Sequence, residues 1–251
     1  MKEFLGTIKN LILLRASSDK FVWGKAQEYE LRSSERWLKD NFESLYPRVQ
    51  SAKAAGEYWP GPGSLVTEFF ADRYEQWSEF AMGVKDKVVL EVGAGPCGAL
   101  ALWWWIKRRI IIDPLILDYK QISLHLFGKT WYTDDIELYS LPAEDFLEEL
   151  NGQIDGAIIC RNALDHCESP FRVLDNIAAY ARPGCQLLLW SDLWHLGSRD
   201  EGHSNITSDR NVFEQHISSL GFEILNSLED VRRPTVNYGC RARKRVAVNG
   251  E

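Results

Sequence analysis

The chain has 251 residues, 45% of them hydrophobic, with a net charge of −7 and a pI near 5.4. This length favours one α/β domain with an extension over two full domains, and the apolar content argues against a disordered chain. A duplex nucleic-acid binder normally carries a basic face, so the acidic balance predicts no nucleic-acid partner.

Five cysteines are present, at positions 97, 160, 167, 185 and 240, and no two form a CxxC pair. Their odd number and spacing disfavour a zinc knuckle or a disulfide framework and favour free thiols in a reducing cytoplasm. An apolar stretch over residues 4–14 is interrupted by Lys9 and Asn10, so it is too short to span a bilayer. We therefore expect a cytoplasmic protein without a membrane span.

Residues 1–80 are predicted to be mainly helical and rich in aromatic side chains. The segment Pro-Gly-Pro-Gly at residues 60–63 interrupts them, and Ser64 is a candidate N-cap for a helix over residues 65–80. We interpret residues 1–80 as a cap or lid over a ligand cleft in a domain formed by residues 81–251. A helical layer that does not touch the ligand is an equal alternative.

A mostly apolar, valine-rich run at 88–92 ends in three glycines, Gly93, Gly95 and Gly98, and an apolar helical pattern follows over residues 99–106. This order predicts a buried strand, a tight turn and a helix start. The turn would let backbone N–H groups approach a ligand, and the helix would offer its positive N-terminal end to an anion. Three tryptophans at 103–105 would lie on this helix, two packing on the sheet and one meeting the N-terminal helices, with a substrate-stacking role as the alternative.

Asp113 follows Gly93 by 20 residues, at the end of a second apolar run. A carboxylate at this position can accept hydrogen bonds from both hydroxyls of a ribose. The strand, the glycine turn, the helix and the spaced acid together predict a nucleoside-containing cofactor.

Glu91 precedes the first glycine of the turn by two residues. Its carboxylate could hold the ammonium group of a methionine moiety, whereas it would repel the pyrophosphate of a nicotinamide cofactor. A Tyr-x-x-x-Lys pair is one common constellation for hydride transfer. None of the nine tyrosines has a lysine four residues later, so that class of dehydrogenase is excluded. A nicotinamide-dependent oxidoreductase of another class remains an alternative.

The segment Glu-Val-Gly-Ala-Gly-Pro at residues 91–96 resembles the first motif of class I S-adenosylmethionine (AdoMet)-dependent methyltransferases. The resemblance continues in order through Asp113 and residues 141–145, 155–166 and 182–184. It implies a seven-stranded, mostly parallel Rossmann-like sheet with an antiparallel last strand, helices on both faces and a helical N-terminal extension. Helices are then expected at residues 116–127, after residue 145, and at 209–220 with Ser208 as cap, and the last strands at 222–228 and 240–248.

The resemblance also assigns residues to AdoMet. The ammonium group would meet Glu91 and the glycine turn, the ribose would meet Asp113, and the adenine edge would meet Ala143. The family often has an aspartate before this alanine; here Pro142 occupies that place, and Glu144 is a substitute or merely an acid at a helix start. The residues assigned to the cofactor are Glu91, Gly93, Ala94, Gly95, Asp113, Ala143, Glu144, Cys160 and Arg161.

Transfer to a hydroxyl requires a base that accepts the acceptor's proton, and histidine suits this task. The candidates are His166 and His203, with Asp165 as base or orienting group, and His195 as a weaker candidate. A structural role for each histidine remains an alternative. A divalent metal ion bound by Asp165, Asp200 or Glu201 is a further hypothesis, but the spacing of these acids supports it weakly. The sequence therefore leaves metal dependence unknown.

The sequence therefore predicts an AdoMet-dependent methyltransferase acting on a hydroxyl, or an amine, of a small molecule or glycan. Trp23, Ala26, Gln27 and Glu30 loosely resemble the opening of some glycan-modifying methyltransferases. Protein methylation is a weaker version of this hypothesis. The other alternative is a non-catalytic AdoMet-binding protein whose aromatic N-terminal half contacts a partner. The sequence does not predict an oligomeric state.

Overall fold

The structure is a computed structural model that describes residues 23–61, 65–195, 203–232 and 235–246. The helices are α1 Trp23–Ala55, α2 Leu65–Phe70, α3 Tyr74–Val84, α4 Ala99–Leu102, α5 Ile116–Phe127, α6 Pro170–Tyr180 and α7 Arg210–Ser219. The strands are β1 Val88–Val92, β2 Arg108–Ile112, β3 Ile136–Tyr139, β4 Ala157–Arg161, β5 Gln186–His195, β6 Phe222–Arg232 and β7 Thr235–Lys244. Short 3₁₀ helices lie at Gly95–Cys97, Glu148–Leu150 and Leu164–His166.

The seven strands form one sheet in the order β3-β2-β1-β4-β5-β7-β6. Strands β3, β2, β1, β4 and β5 pair in parallel, whereas β7 is antiparallel to both β5 and β6. The predicted fold class is confirmed. The order of the strands reverses between β1 and β4, and in open α/β sheets ligands bind at the carboxyl ends of the strands beside such a reversal.

Side chains alternate between the two faces of the parallel strands, and helices cover both faces. Val89 and Ile111 belong to the core shared with α1, α2, α3 and α5, whereas Leu90 and Ile110 belong to the core shared with α6 and α7. The central strands are therefore apolar on both sides, as a parallel sheet between two helical layers requires.

Helix α1 is one helix of 33 residues. Its Phe42 ring stacks on Phe127 of α5, with centroids 4.4 Å apart, and lies 4.6 Å from the ring of Trp131. None of the described helices is long and apolar enough to cross a membrane, and the long α1 is largely polar. The aromatic stack fixes α1 against the helical layer that covers the first face of the sheet.

The segment predicted as one helix over residues 65–80 forms two helices, α2 and α3. Ala71 and Asp72, between them, adopt left-handed φ values of 49° and 60°. A left-handed residue ends a helix, because it turns the next amide away from the helix axis. Ser64, the predicted cap, lies outside the described residues.

The predicted helix over residues 99–106 ends at Leu102, so the tryptophans at 103–105 lie beyond it. Trp103 is fully buried and its ring lies 5.1 Å from that of Trp77 in α3. Trp105 stacks on Trp103 with ring centroids 5.3 Å apart. The triplet was wrongly placed on a helix, but Trp103 and Trp105 pack in the core against α3.

Three other boundaries differ from the prediction. No helix follows residue 145, where a turn leads into the 3₁₀ helix Glu148–Leu150. Helix α7 is capped by Asp209, whose side chain accepts from the Asn211 N–H at 2.8 Å, and not by Ser208. Strand β6 continues to Arg232 and β7 begins at Thr235, so the edge hairpin is longer than expected.

Candidate functional site

The glycine turn after β1 has the tight geometry that the sequence predicts. Gly93 has φ +71°, and a Cβ there would lie 2.2 Å from the Cβ of Ala163. Gly95 has φ +61°, and its N–H donates to Oδ2 of Asp113 at 3.0 Å. A side chain at Gly93 would therefore clash, because the turn lies directly against the segment that follows β4.

Asp113, at the end of β2, is buried and binds two backbone amides. Besides the Gly95 bond, its Oδ1 accepts from the Leu115 N–H at 2.8 Å. Burial raises the pKa of Asp113, although the backbone hydrogen bonds oppose this shift. Because each carboxylate oxygen has two lone pairs, both oxygens keep capacity for a further donor.

A cavity with about 670 Å³ of empty space, counted together with its open mouth, lies over the carboxyl ends of β1, β2 and β4. Three residues of α1, namely Ala26, Gln27 and Glu30, form part of its wall. The other lining residues are Val92, Gly93, Gly95, Ile112, Asp113, Pro114, Leu115, Tyr119, Ala143, Glu144, Asn162, Ala163, His166 and Cys167. The first turns of α1 thus cover the switch point of the sheet.

A second, smaller cavity of about 440 Å³ also contacts Gly93, and Glu91, Ala94 and Arg161 line it. The two carboxylate oxygens of Glu91 accept from the N–H groups of Ala99 and Leu100, each at 2.8 Å. Burial raises the pKa of Glu91 to about 7. Glu91 therefore caps α4 and at the same time faces this cavity.

Arg161, at the end of β4, lines the smaller cavity and not the larger one. Its guanidinium forms a two-pronged ion pair with Glu68 of α2, with N···O distances of 2.7 and 3.0 Å. This pair joins the sheet to the N-terminal helices beside the smaller cavity.

Ala143 and Glu144 line the larger cavity, as the sequence predicts. Oε1 of Glu144 accepts from the N–H groups of Glu168 and Ser169, at 2.9 and 3.1 Å, just before α6. Glu144 therefore binds the two backbone amides that precede α6 and does not start a helix of its own. Its Oε2 is buried and, among the described residues, has no hydrogen-bond partner.

Cys160, which the sequence assigns to the cofactor, does not reach either cavity with its side chain, and its assignment stays a prediction. Its side chain is fully buried in the core beneath the second face of the sheet and lines neither cavity. Burial raises the pKa of its thiol far above the ordinary value, so it is held as a neutral core group. The alternation of β4 explains this: Cys160 shares its face with Ile158.

Four side chains meet beside the larger cavity, namely Glu30, Asp165, His166 and His203, and we call them the acid–histidine cluster. Oδ1 of the fully buried Asp165 accepts from the Ser191 hydroxyl at 3.0 Å. Its Oδ2 lies 3.6 Å from Nε2 of His166 and 3.7 Å from Nε2 of His203. The structure thus brings together the three residues that the sequence singles out for catalysis.

Glu30 of α1 is the member of the cluster to which the sequence assigned no role. Its Oε1 lies 3.4 Å from Nδ1 of His166, on the side of the ring opposite Asp165. Burial raises the pKa of Glu30, and it raises the pKa of Asp165 to about 6. The helical spacing of Ala26, Gln27 and Glu30 places them on one face of α1. This spacing is the sequence feature that could have identified Glu30 as a site residue.

The remaining candidates for catalysis or metal binding, His195, Asp200 and Glu201, cannot be placed relative to the cluster. Strand β5 ends at His195, whose side chain is outside the described part of the chain, as are Asp200 and Glu201. A metal site that uses those two acids remains a prediction.

No family model matches the sequence, and no curated protein matches it. Similar solved structures include a Bacillus halodurans C-125 protein assigned as a methyltransferase, with 13% identity over 69% of this chain and 99% of that chain, and TM-score 0.53. A Galdieria sulphuraria protein assigned as a sarcosine dimethylglycine methyltransferase has 13% identity over 69% and 85%, and TM-score 0.52. The YcgJ protein from Bacillus subtilis has 11% identity over 69% and 98%, and TM-score 0.50. The chain has the methyltransferase fold.

Proposed function

We propose that this protein is an AdoMet-dependent methyltransferase whose acceptor is a hydroxyl group of a small molecule or glycan. The observation that carries the proposal is the position of the acid–histidine cluster, beside a cavity whose wall contains Asp113 and the Gly93 turn. One space is therefore bordered both by the groups that we propose hold the nucleoside and by groups that can accept a proton.

The residues around the two cavities fit AdoMet, which supplies an electrophilic methyl group on a positively charged sulfur when bound. Asp113 would hold the ribose hydroxyls, and Ala143 would border the adenine. Glu91 and the turn through Gly93 and Ala94 would meet the methionine end, since they line the smaller cavity next to the larger one. The carboxylates around this space suit a cationic ligand and disfavour the pyrophosphate of a nicotinamide cofactor.

The cluster favours a hydroxyl acceptor. A hydroxyl must lose its proton as it is methylated, whereas an amine needs only an uncharged lone pair. An imidazole is a suitable proton acceptor near neutral pH, and so is a carboxylate whose pKa is raised by burial, as for Glu30 and Asp165. Carboxylates on several sides of the cavity also disfavour a phosphate-rich acceptor, which supports a neutral small molecule or a glycan.

Calorimetric titration of the full chain with S-adenosylhomocysteine, and separately with NADH, tests the cofactor. We expect binding of the first, with a dissociation constant on the order of micromolar, and none of the second. Binding of NADH alone would overturn the proposal in favour of an oxidoreductase.

Turnover is then measured as S-adenosylhomocysteine released from AdoMet with sugar and small-molecule alcohols, with the corresponding amines as the comparison set. Turnover with alcohols supports the acceptor assignment, and turnover with amines alone would contradict it. Cofactor binding without turnover on any acceptor would favour a non-catalytic binding protein.

A further inference from the structure

The acid–histidine cluster contains a buried oxygen that its protein neighbours leave without a hydrogen bond. Asp165 is fully buried, and among the described residues no donor reaches its Oδ2. The nearest imidazole nitrogens, Nε2 of His166 and of His203, lie at 3.6 and 3.7 Å, beyond the usual limit of about 3.2 Å for an N–H···O bond. A buried carboxylate oxygen in such a gap points to a missing positive partner.

The spacing of these atoms suits a metal ion. A tetrahedral ion with ligand bonds of about 2.1 Å separates its ligands by about 3.4 Å, close to the two Oδ2–Nε2 distances. The candidate ligand atoms of Asp165, His166 and His203 all lie within 4.8 Å of one another. We propose that these three residues bind one divalent transition-metal ion, such as Zn²⁺ or Co²⁺, beside the cofactor cavity.

Glu30 provides a second, independent observation. A histidine that binds a metal through one ring nitrogen usually donates the N–H of its other nitrogen to a carboxylate, which fixes the ring and its tautomer. Oε1 of Glu30 lies 3.4 Å from Nδ1 of His166, whereas Nε2 of the same ring faces Asp165. Helix α1 therefore places a carboxylate at ion-pair distance from the second ring nitrogen of one proposed ligand, where metal binding through Nε2 would need an acceptor.

Three protein ligands leave at least one coordination position open, as in catalytic zinc sites. His166 borders the cavity directly, so the ion would lie where the acceptor hydroxyl must be held. The inference therefore deepens the proposed function and assigns His166 and His203 to metal binding in place of proton transfer. Metal binding itself requires neither cofactor nor acceptor and is measured without them.

The test is a titration of the chelator-treated full chain with Co²⁺, followed by visible absorption, and with Zn²⁺, followed by calorimetry. We expect one ion per chain and ligand-field bands typical of nitrogen and oxygen ligands. His203→Ala and Asp165→Asn should each abolish the bands. Glu30→Gln, which removes only the orienting carboxylate, should weaken affinity by about 10- to 100-fold.

The matched control is His216→Ala. His216 also pairs with an aspartate, Asp175, at 3.1 Å, but it lies on α7 and is no part of the cluster. This variant should bind Co²⁺ as the unaltered protein does. Thermal unfolding of each variant shows whether it is folded, and Glu30→Gln provides a readout if Asp165→Asn does not fold.

Failure to bind either ion, or unchanged Co²⁺ binding by folded His203→Ala, would overturn the inference. The cluster would then be a hydrogen-bonded relay in which His166 lies between two carboxylates. Titrating the same samples with S-adenosylhomocysteine keeps the two proposals apart. Binding of that product without metal rejects only the metal site, and binding of metal without that product rejects only the cofactor assignment.

Discussion

At the scale of single residues, Asp113 has two roles that the sequence did not separate. It accepts hydrogen bonds from the N–H groups of Gly95 and Leu115, and it borders the cavity where a ribose is proposed. Removing its carboxylate therefore affects both the turn and the ligand. A variant has to be measured for folding as well as for binding.

We expect Asp113→Ala to weaken S-adenosylhomocysteine binding by about 10- to 100-fold, because hydrogen bonds to a charged group contribute about 1.5–3 kcal/mol. The free energy of unfolding should also fall by about 1–3 kcal/mol, since two amides lose their buried acceptor. Calorimetry measures the first quantity and urea denaturation the second.

Asp118→Ala is the matched control, because Asp118 is exposed in the first turn of α5, five residues further along the chain. Neither quantity should change by more than a few tenths of a kcal/mol there. Unchanged product affinity in Asp113→Ala, together with reduced stability, would reject the ribose assignment and leave Asp113 with the structural role alone.

At the scale of elements, the beginning of α1 decides whether the N-terminal helices act as a cap. Ala26, Gln27 and Glu30 lie on the cavity wall, and Phe42 stacks on Phe127 further along the helix. The anchored part of α1 therefore holds its first turns over the carboxyl ends of the strands. This arrangement favours the cap hypothesis over a helical layer remote from the ligand.

We expect Gln27→Trp to weaken S-adenosylhomocysteine binding at least tenfold (about 1.4 kcal/mol), because the indole would occupy part of the cavity. The free energy of unfolding should change little, since Gln27 is only half-buried. Calorimetry and urea denaturation measure the two effects.

Glu28→Trp places the same indole on the exposed side of the same turn, so it should bind the product normally. If both variants bind like the unaltered protein, the first turns of α1 do not cover the ligand.

The parallel strands and the glycine turn could be predicted because their sequence signals are local: apolar runs, closely spaced glycines and an acid 20 residues after the first glycine. The structure has the expected parallel pairing and positive φ values. The cluster could be predicted only in part, because Glu30, Asp165 and His203 are far apart in the chain and meet through packing. The side chain of Cys160 lies in the core with Ile158, as the alternation of side chains along β4 requires.

At the scale of the whole molecule, burial raises the pKa of four acids around the two cavities, namely Glu30, Glu91, Asp113 and Asp165. These acids therefore retain more protons than exposed carboxyl groups do at mildly acidic pH. For Glu91 and Asp165 the pKa values are about 7 and about 6. A positive charge brought among them would favour their ionised forms and lower these pKa values.

AdoMet and S-adenosylhomocysteine differ by one positive charge, on the sulfur. Binding of AdoMet should therefore release more protons than binding of its product, and the difference should be largest near pH 7, where Glu91 is partly protonated. Calorimetry in buffers of different ionisation enthalpy counts these protons. At pH 9 the contribution of Glu91 to this difference should vanish, since Glu91 is then ionised before either ligand binds.

Glu91→Gln isolates the protons that Glu91 itself releases, because the amide preserves the shape of the side chain but does not titrate. It should reduce the proton release that accompanies AdoMet binding near pH 7. Glu137→Gln is the control, since the ion pair with Arg108 lowers the pKa of that exposed carboxyl, which is already ionised at pH 7. Equal proton release by the two ligands near pH 7 would mean that the sulfur does not lie among these acids. The cationic end of AdoMet would then have to be placed elsewhere on the sheet edge.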